Sequence, residues 1–128
     1  MEFKGNEAIY LQIADYVSER ILLGKWAINE KIPSVRELAA DLQVNPNTVM
    51  RTYEHLQQAR IIFNKRGIGF FVAEQAKEEI NKQQRERFMT RDLPEFFRNM
   101  YLLEISLEEI KGKYETYLLN HYKDEDKQ

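Results

Sequence analysis

The sequence predicts a mainly α-helical fold that carries one small β-hairpin. Three observations support this. Ile9, Ile13, Val17 and Ile21 recur four residues apart, the period of one helix face. Two S-x-x-E boxes, Ser34-Val35-Arg36-Glu37 and Ser106-Leu107-Glu108-Glu109, mark helix starts, because serine and glutamate there satisfy each other's free N–H groups. Two β-rich runs, Ile61-Ile62-Phe63 and Phe70-Phe71-Val72, flank the basic, glycine-containing stretch Asn64-Lys65-Arg66-Gly67-Ile68-Gly69.

The first helix is expected over 7–23, with Asn6 as its N-cap, Glu7 at the positive end of the helix dipole and Gly24 as its left-handed stop. A second, short helix over 35–42 turns Val35, Leu38, Ala39 and Leu42 inward. After a tight turn at Gln43-Val44, Asn45 caps a third helix over 46–59, with Pro46 in the first turn, where its missing N–H costs nothing. Val49, Tyr53 and Leu56 form its apolar face. Two short helices joined this closely, the second opening on small polar side chains, read as a helix-turn-helix, and a hairpin directly after it reads as a wing. The stretch 73–89 is polar and helix-favouring, with only Ala76 and Ile80 on one face, so it reads as a loosely tied connector. Pro94 marks a helix start or a kink. Leu93, Phe96, Phe97, Met100, Tyr101 and Leu103 then follow at helical spacing, and Leu107, Ile110, Tyr114, Tyr117, Leu118 and His121 form a second stripe. Residues 123–128 read as a charged, frayed tail. The expected division is a winged helix-turn-helix domain over 1–73 and a helical tail over 74–128.

Composition narrows the function. The 128 residues include no cysteine, which removes disulfides, thiolate metal sites and a cysteine nucleophile. His55 and His121 are the only histidines, too few for a histidine-rich metal cluster, and no glycine-rich phosphate loop occurs. No apolar run is long enough to span a membrane and the N-terminus lacks a signal peptide's apolar core, so a cytoplasmic protein that is neither an enzyme nor membrane-bound is expected, with no cofactor or metal. The net charge of −2 argues against nucleic acid at first sight. Residues 1–75, however, hold nine basic and nine acidic side chains, so the excess acid lies in the C-terminal part. What matters for DNA is where the first part's cations sit.

Four stretches resemble the N-terminal domain of GntR-type bacterial transcription regulators. They are Ile9-Tyr10-Leu11-Gln12-Ile13-Ala14, Lys31-Ile32-Pro33-Ser34-Val35-Arg36-Glu37-Leu38-Ala39, Val44-Asn45-Pro46-Asn47-Thr48-Val49-Met50-Arg51-Thr52-Tyr53-Glu54-His55-Leu56 and Arg66-Gly67-Ile68-Gly69-Phe70-Phe71-Val72. The short remainder resembles the two-helix tail of the YtrA-like subfamily. Three positions depart from the family pattern. Asn29 stands where glycine is usual and can still hold a positive φ. Arg60 replaces a helix-ending glycine and is expected to avoid the left-handed region. Phe70 replaces a small threonine in the wing and removes its hydroxyl.

The resemblance implies a sequence-specific DNA-binding repressor that engages an inverted-repeat operator in double-stranded DNA as a homodimer. A winged-helix protein–protein interaction module without DNA binding is the alternative. The expected DNA-binding residues are Tyr10, Ser34, Arg36, Asn45, Asn47, Thr48, Arg51, Lys65, Arg66 and Gly67. Arg36 is the candidate guanine reader, and the hairpin tip contacts the minor groove or phosphates. The tail stripes are too long to bury against each other, so Leu93, Phe96, Phe97, Met100, Tyr101, Leu107, Ile110, Tyr114, Tyr117 and Leu118 are expected at a dimer interface. A sensor domain does not fit in the tail; an unidentified small-molecule effector remains a candidate partner.

Overall fold

The computed structural model describes residues 1–122, so the expected frayed tail at 123–128 lies outside the described residues. Two compact units divide the chain, the first covering residues 1–84 and the second beginning at 85. In order, the elements are α1 (Ile9–Leu22), α2 (Val35–Leu42), α3 (Pro46–Gln58), β1 (Ile62–Lys65), β2 (Gly69–Val72), α4 (Ala76–Arg87), a π-helical turn (Phe88–Asp92), α5 (Leu93–Leu102) and α6 (Leu107–Tyr122). The architecture is therefore mainly α with a two-stranded antiparallel hairpin.

In the first unit, α1 contributes Ile13, Val17 and Ile21 to the core, α2 Leu38, and α3 Val49, Tyr53 and Leu56, all essentially inaccessible to solvent. The apolar spacing marks these positions, but Ile9, the first of the α1 series, is 45% exposed because it stands in the opening turn of the helix at the protein surface. Val35 and Leu42 of α2 are only half-buried. α1 nevertheless starts at Ile9 after Ala8, without a side-chain cap, and not under Asn6 as expected. The reason lies in Gln12. Its amide donates to the carbonyls of Lys4 and Glu7, each at 2.9 Å, and its oxygen accepts the Lys4 N–H at 2.8 Å. The Glu7 carbonyl is thus occupied by a side chain, and Leu11 N–H, which a longer helix would give to it, donates to Ala8 instead.

The hairpin pairs Ile62 with Val72 and Lys65 with Gly69. Ile62 and Val72 face the core, while Phe63 and Phe71 stack on the opposite face with centroids 5.7 Å apart. Backbone from 29 to 32 adds a further rung to β2: Asn29 N–H donates to the Val72 carbonyl, Val72 N–H to Glu30 and Ile32 N–H to Phe70. Asn29 holds φ +66°, so the turn survives the absence of glycine. Gly69 is favoured by its own backbone, which takes φ +143°, a conformation that L side chains rarely adopt. The Lys31 stem, whose Cε would lie 2.8 Å from a Cβ there, is flexible enough to move aside.

Two expectations are corrected. Arg60 does adopt the left-handed conformation, with φ +64°. Ile61 N–H donates to the Leu56 carbonyl at 2.9 Å and Arg60 N–H to Gln57 at 3.0 Å, a Schellman motif closed without glycine. Ile61, the next residue, is buried, and its burial offsets a strain of about 1–2 kcal/mol. The connector is also better anchored than its polarity suggests. Ala76 and Ile80 are 0% and 1% exposed within the first unit's core, and the Gln83 amide donates to the Ala59 carbonyl at 3.4 Å. The first unit accordingly runs through Gln84 and not to 73.

In the second unit Pro94 stands in the first turn of α5, where the sequence allowed a helix start. Glu104 at φ +55° ends α5 in another Schellman turn, with Ile105 N–H on the Met100 carbonyl at 2.9 Å. Ser106 Oγ then accepts the Glu109 N–H at 3.2 Å and opens α6. Neither α5 nor α6 has a buried residue.

Candidate nucleic-acid interface

Three loci hold the expected DNA-binding residues. The first is a cleft lined by Ala8, Ile9, Tyr10, Asn47, Thr48 and Arg51, which brings the start of α1 against the start of α3. Asn45 caps α3: its side chain accepts the Asn47 N–H at 2.8 Å and its carbonyl the Thr48 N–H at 2.9 Å. With Pro46 lacking an N–H, the first turn is internally satisfied, and it is the positive end of the helix dipole that faces the cleft. Thr52, fully buried, donates to the Tyr10 carbonyl at 2.9 Å while also reaching the Thr48 carbonyl at 3.0 Å, and this fastens α1 to α3. Arg51 turns toward α1 and away from Glu54, its neighbour three residues on. Its guanidinium lies over the Tyr10 ring, 3.9 Å from the centroid, and Tyr10 in turn meets His55 edge-on at 6.0 Å. Tyr10 therefore positions a cation at the rim of the cleft.

The second locus is the start of α2. Ser34 Oγ accepts the Glu37 N–H at 3.1 Å and Glu37 Oε1 accepts the Ser34 N–H at 2.9 Å, which completes the expected capping box. The Ser34 N–H donating to the carboxylate, with the Ser34 hydroxyl acting in the same sense, holds the Glu37 carboxyl below its ordinary pKa. Arg36 projects from this capped turn into solvent.

The third locus is the wing tip. Ile68 N–H donates to the Lys65 carbonyl at 2.9 Å, closing a turn in which Gly67 takes φ +79°. Arg66, Gly67 and Ile68 are exposed. Lys65 Nζ lies 4.4 Å from the centre of the Phe71 ring, so the outer aromatic pair supports its stem. The structure does not bring Arg36 or the wing tip into the α1–α3 cleft; the three loci are separate. Tyr53 ties them together. Its hydroxyl donates to the Pro33 carbonyl at 2.6 Å, next to Ser34, and its ring meets Phe70 of the wing at 4.9 Å. Burial, with the Glu37 charge acting in the same sense, holds this phenol protonated well above the ordinary tyrosine range. Phe70, which cannot contact phosphate through a hydroxyl, instead braces the wing against α3.

Residues 9–72 match the family model of bacterial regulatory proteins of the gntR family. The chain belongs to the GntR family. It is 35% identical to the uncharacterized HTH-type transcriptional regulator YhcF of Bacillus subtilis over 91% of this chain and 94% of that one. It is 40% identical to the HTH-type transcriptional repressor YtrA of the same organism over 58% of this chain and 57% of that protein. Among solved structures, one described as a transcriptional regulator of the GntR family from Bacteroides thetaiotaomicron is 49% identical. It covers 88% of this chain and 98% of its own, with a TM-score of 0.80. This GntR-family protein is thus a transcription regulator with a winged-helix DNA-binding domain, and its family and relatives are regulators, not enzymes.

In this GntR-family chain no described helix is long and apolar enough to cross a membrane, and no described cluster of acidic and histidine side chains could hold a metal ion. Of the expected interface residues in the second unit, Phe96, Phe97, Tyr101, Leu107, Tyr114 and Tyr117 are exposed, Tyr101 to 83%, while Leu93, Met100, Ile110 and Leu118 are half-buried. Periodicity passed over Leu102 and Leu119 and left Leu103 out of the interface, although they are exposed to 58%, 63% and 68%. Lys31, beside Gly69 on the wing, was also overlooked; only its pairing with β2 reveals that position.

Proposed function

We propose that the protein is a homodimeric, cytoplasmic repressor that binds an inverted-repeat operator, with α3 in the major groove and the wing along the adjacent backbone or minor groove. Ser34, Asn45, Asn47, Thr48, Tyr10 and Gly67 position the domain on phosphate, Arg36 reads guanine, and Arg51, Lys65 and Arg66 supply cations. The observation that carries the reading is the α1–α3 cleft. There a cation is preplaced on an aromatic ring beside the start of a capped helix, an arrangement that suits a polyanion. Dimerisation rests on the second unit: two helices without a buried residue expose leucines and aromatics that a second copy would cover. The name of YtrA supports repression. A C2 dimer presents two identical recognition helices, so half-sites about one helical turn, roughly 10 bp, apart are expected.

Fluorescence anisotropy with DNA from upstream of the protein's own transcription unit tests this. Affinity is expected to fall steeply with salt, because several Lys/Arg–phosphate contacts release counterions. Arg36→Ala is expected to lose roughly 1–3 kcal/mol of discrimination at a G·C pair, whereas Lys65→Ala weakens all sequences alike. A flat salt dependence would favour the protein–protein module instead.

A further inference from the structure

Helix α3 divides cleanly into two faces. Val49, Thr52, Tyr53 and Leu56 are buried, while Asn47, Met50, Arg51 and Glu54 point outward at the three- and four-residue spacing of one helical stripe. Met50 is the one large hydrophobic exposed on this helix, at 42%. An isolated apolar side chain elsewhere on a surface needs no explanation. Met50 differs in its surroundings. It lies at the middle of the stripe, and its neighbour Arg51 is drawn aside onto the Tyr10 ring. Beside it, Asn47 and Glu54 offer polar groups, so the outward face consists of one soft apolar contact between hydrogen-bonding side chains.

We propose that Met50 is a specificity-determining residue that recognises thymine through its C5-methyl group in the major groove. This rests on the DNA-binding reading above and extends it to the base that the site selects. In the major groove each base pair shows a distinct set of donors and acceptors, and the thymine methyl is the apolar feature among them. A thioether cannot donate to a base edge and gains little from its acceptors. Contact with a methyl is the interaction it makes best, and its flexible chain can adapt to the methyl's position.

The full-length protein is tested on the tightest duplex selected from random-sequence DNA, and on the same duplex with each thymine in turn replaced by deoxyuridine, which deletes the methyl alone. One thymine per half-site is expected to weaken binding roughly fourfold when replaced, the equivalent of one buried methyl group. Met50→Ala is expected to bind the thymine duplex more weakly and to become indifferent to that replacement, while Met50→Leu keeps the sensitivity. Since Met50 is exposed, neither variant removes core packing. Selective binding that ignores every thymine methyl, or a Met50→Ala variant that keeps the wild-type sensitivity, overturns this proposal alone. Failure to bind any duplex selectively overturns the DNA reading and this proposal with it.

Discussion

Replacing Ile80 by alanine tests whether α4 belongs to the winged-helix core or merely leads away from it. Ile80 is 1% exposed and Ala76, one turn earlier on the same face, is fully buried. Truncating a buried isoleucine to alanine removes its transfer free energy and leaves a cavity, which together cost about 2–5 kcal/mol. A value near the middle, about 3 kcal/mol, corresponds to a fall in melting temperature of roughly 12–24 °C for a cooperative unit of this size. Urea unfolding followed by circular dichroism reads the change directly. Lys77→Ala on the exposed side of the same helix is the control and is expected to stay within about 0.5 kcal/mol of wild type. The same logic fixes where the DNA-binding unit can be cut. A fragment ending at Gln84 keeps both side chains, whereas one ending at Ala73 loses them and is expected to be less stable by at least the Ile80 increment. Equal urea midpoints for the two fragments, together with a silent Ile80→Ala, would refute the assignment of α4 to the core.

Arg60→Gly should stabilise the protein by about 0.5–1 kcal/mol, because glycine relieves the left-handed strain but has more backbone freedom to lose on folding; a lower urea midpoint would show that the arginine is not strained. Tyr53→Phe should cost about 1–3 kcal/mol by leaving the Pro33 carbonyl without its donor, and unchanged thermal stability would show that the carbonyl finds another partner. The Glu37 carboxyl has a folded pKa below its ordinary 4.5, so its contribution is fully present above that value and is lost as pH falls through the folded pKa. Melting temperatures of wild type and Glu37→Gln should therefore converge as pH drops below about 4.5, and a constant gap down to pH 2 would argue against the capping box as the cause.

The parts of the fold legible in the sequence are those fixed by local chemistry. The Ser34–Glu37 box and the Asn45-Pro46 start of α3 each specify their structure within a few residues and form as expected, and the four-residue spacing in α1 holds for Ile13, Val17 and Ile21. The misjudged parts depend on partners distant in sequence. Asn6 looked like a cap because nothing nearby shows that Gln12 will reach back to residues 4 and 7. Arg60 looked unable to turn because the compensating burial of Ile61 is tertiary. Ala76 and Ile80, two apolar positions in a polar stretch, looked too few to anchor a helix, yet both enter a core already assembled from α1, α3 and the hairpin. A nearly complete core needs little more from its last element, so weak amphipathicity there does not mean weak attachment.

The candidate site shows the same split between chemistry and placement. Residue type and position in the motifs, together with the family resemblance, single out Arg36, Arg51, Lys65 and Arg66, since cations at a helix-turn-helix and a wing tip suit phosphate and guanine. Their placement depends on aromatic residues that hold them from beneath or behind. Tyr10 fixes Arg51 by lying beneath it, Phe71 supports the Lys65 stem, and Tyr53 joins the loop before α2 to the wing. Phe70 is the instructive case: as a replacement for a small hydroxyl residue it reads as a lost contact, but the ring fills the space between β2 and α3 and keeps the wing at a fixed position relative to the recognition helix. A wing braced in this way can position Lys65 and Arg66 on a duplex with little loss of freedom on binding. Affinity gained by preorganisation depends on the brace as well as on the charges. Phe70→Ala should therefore weaken DNA binding in an anisotropy titration, and an affinity equal to that of wild type would show that the wing needs no brace from α3.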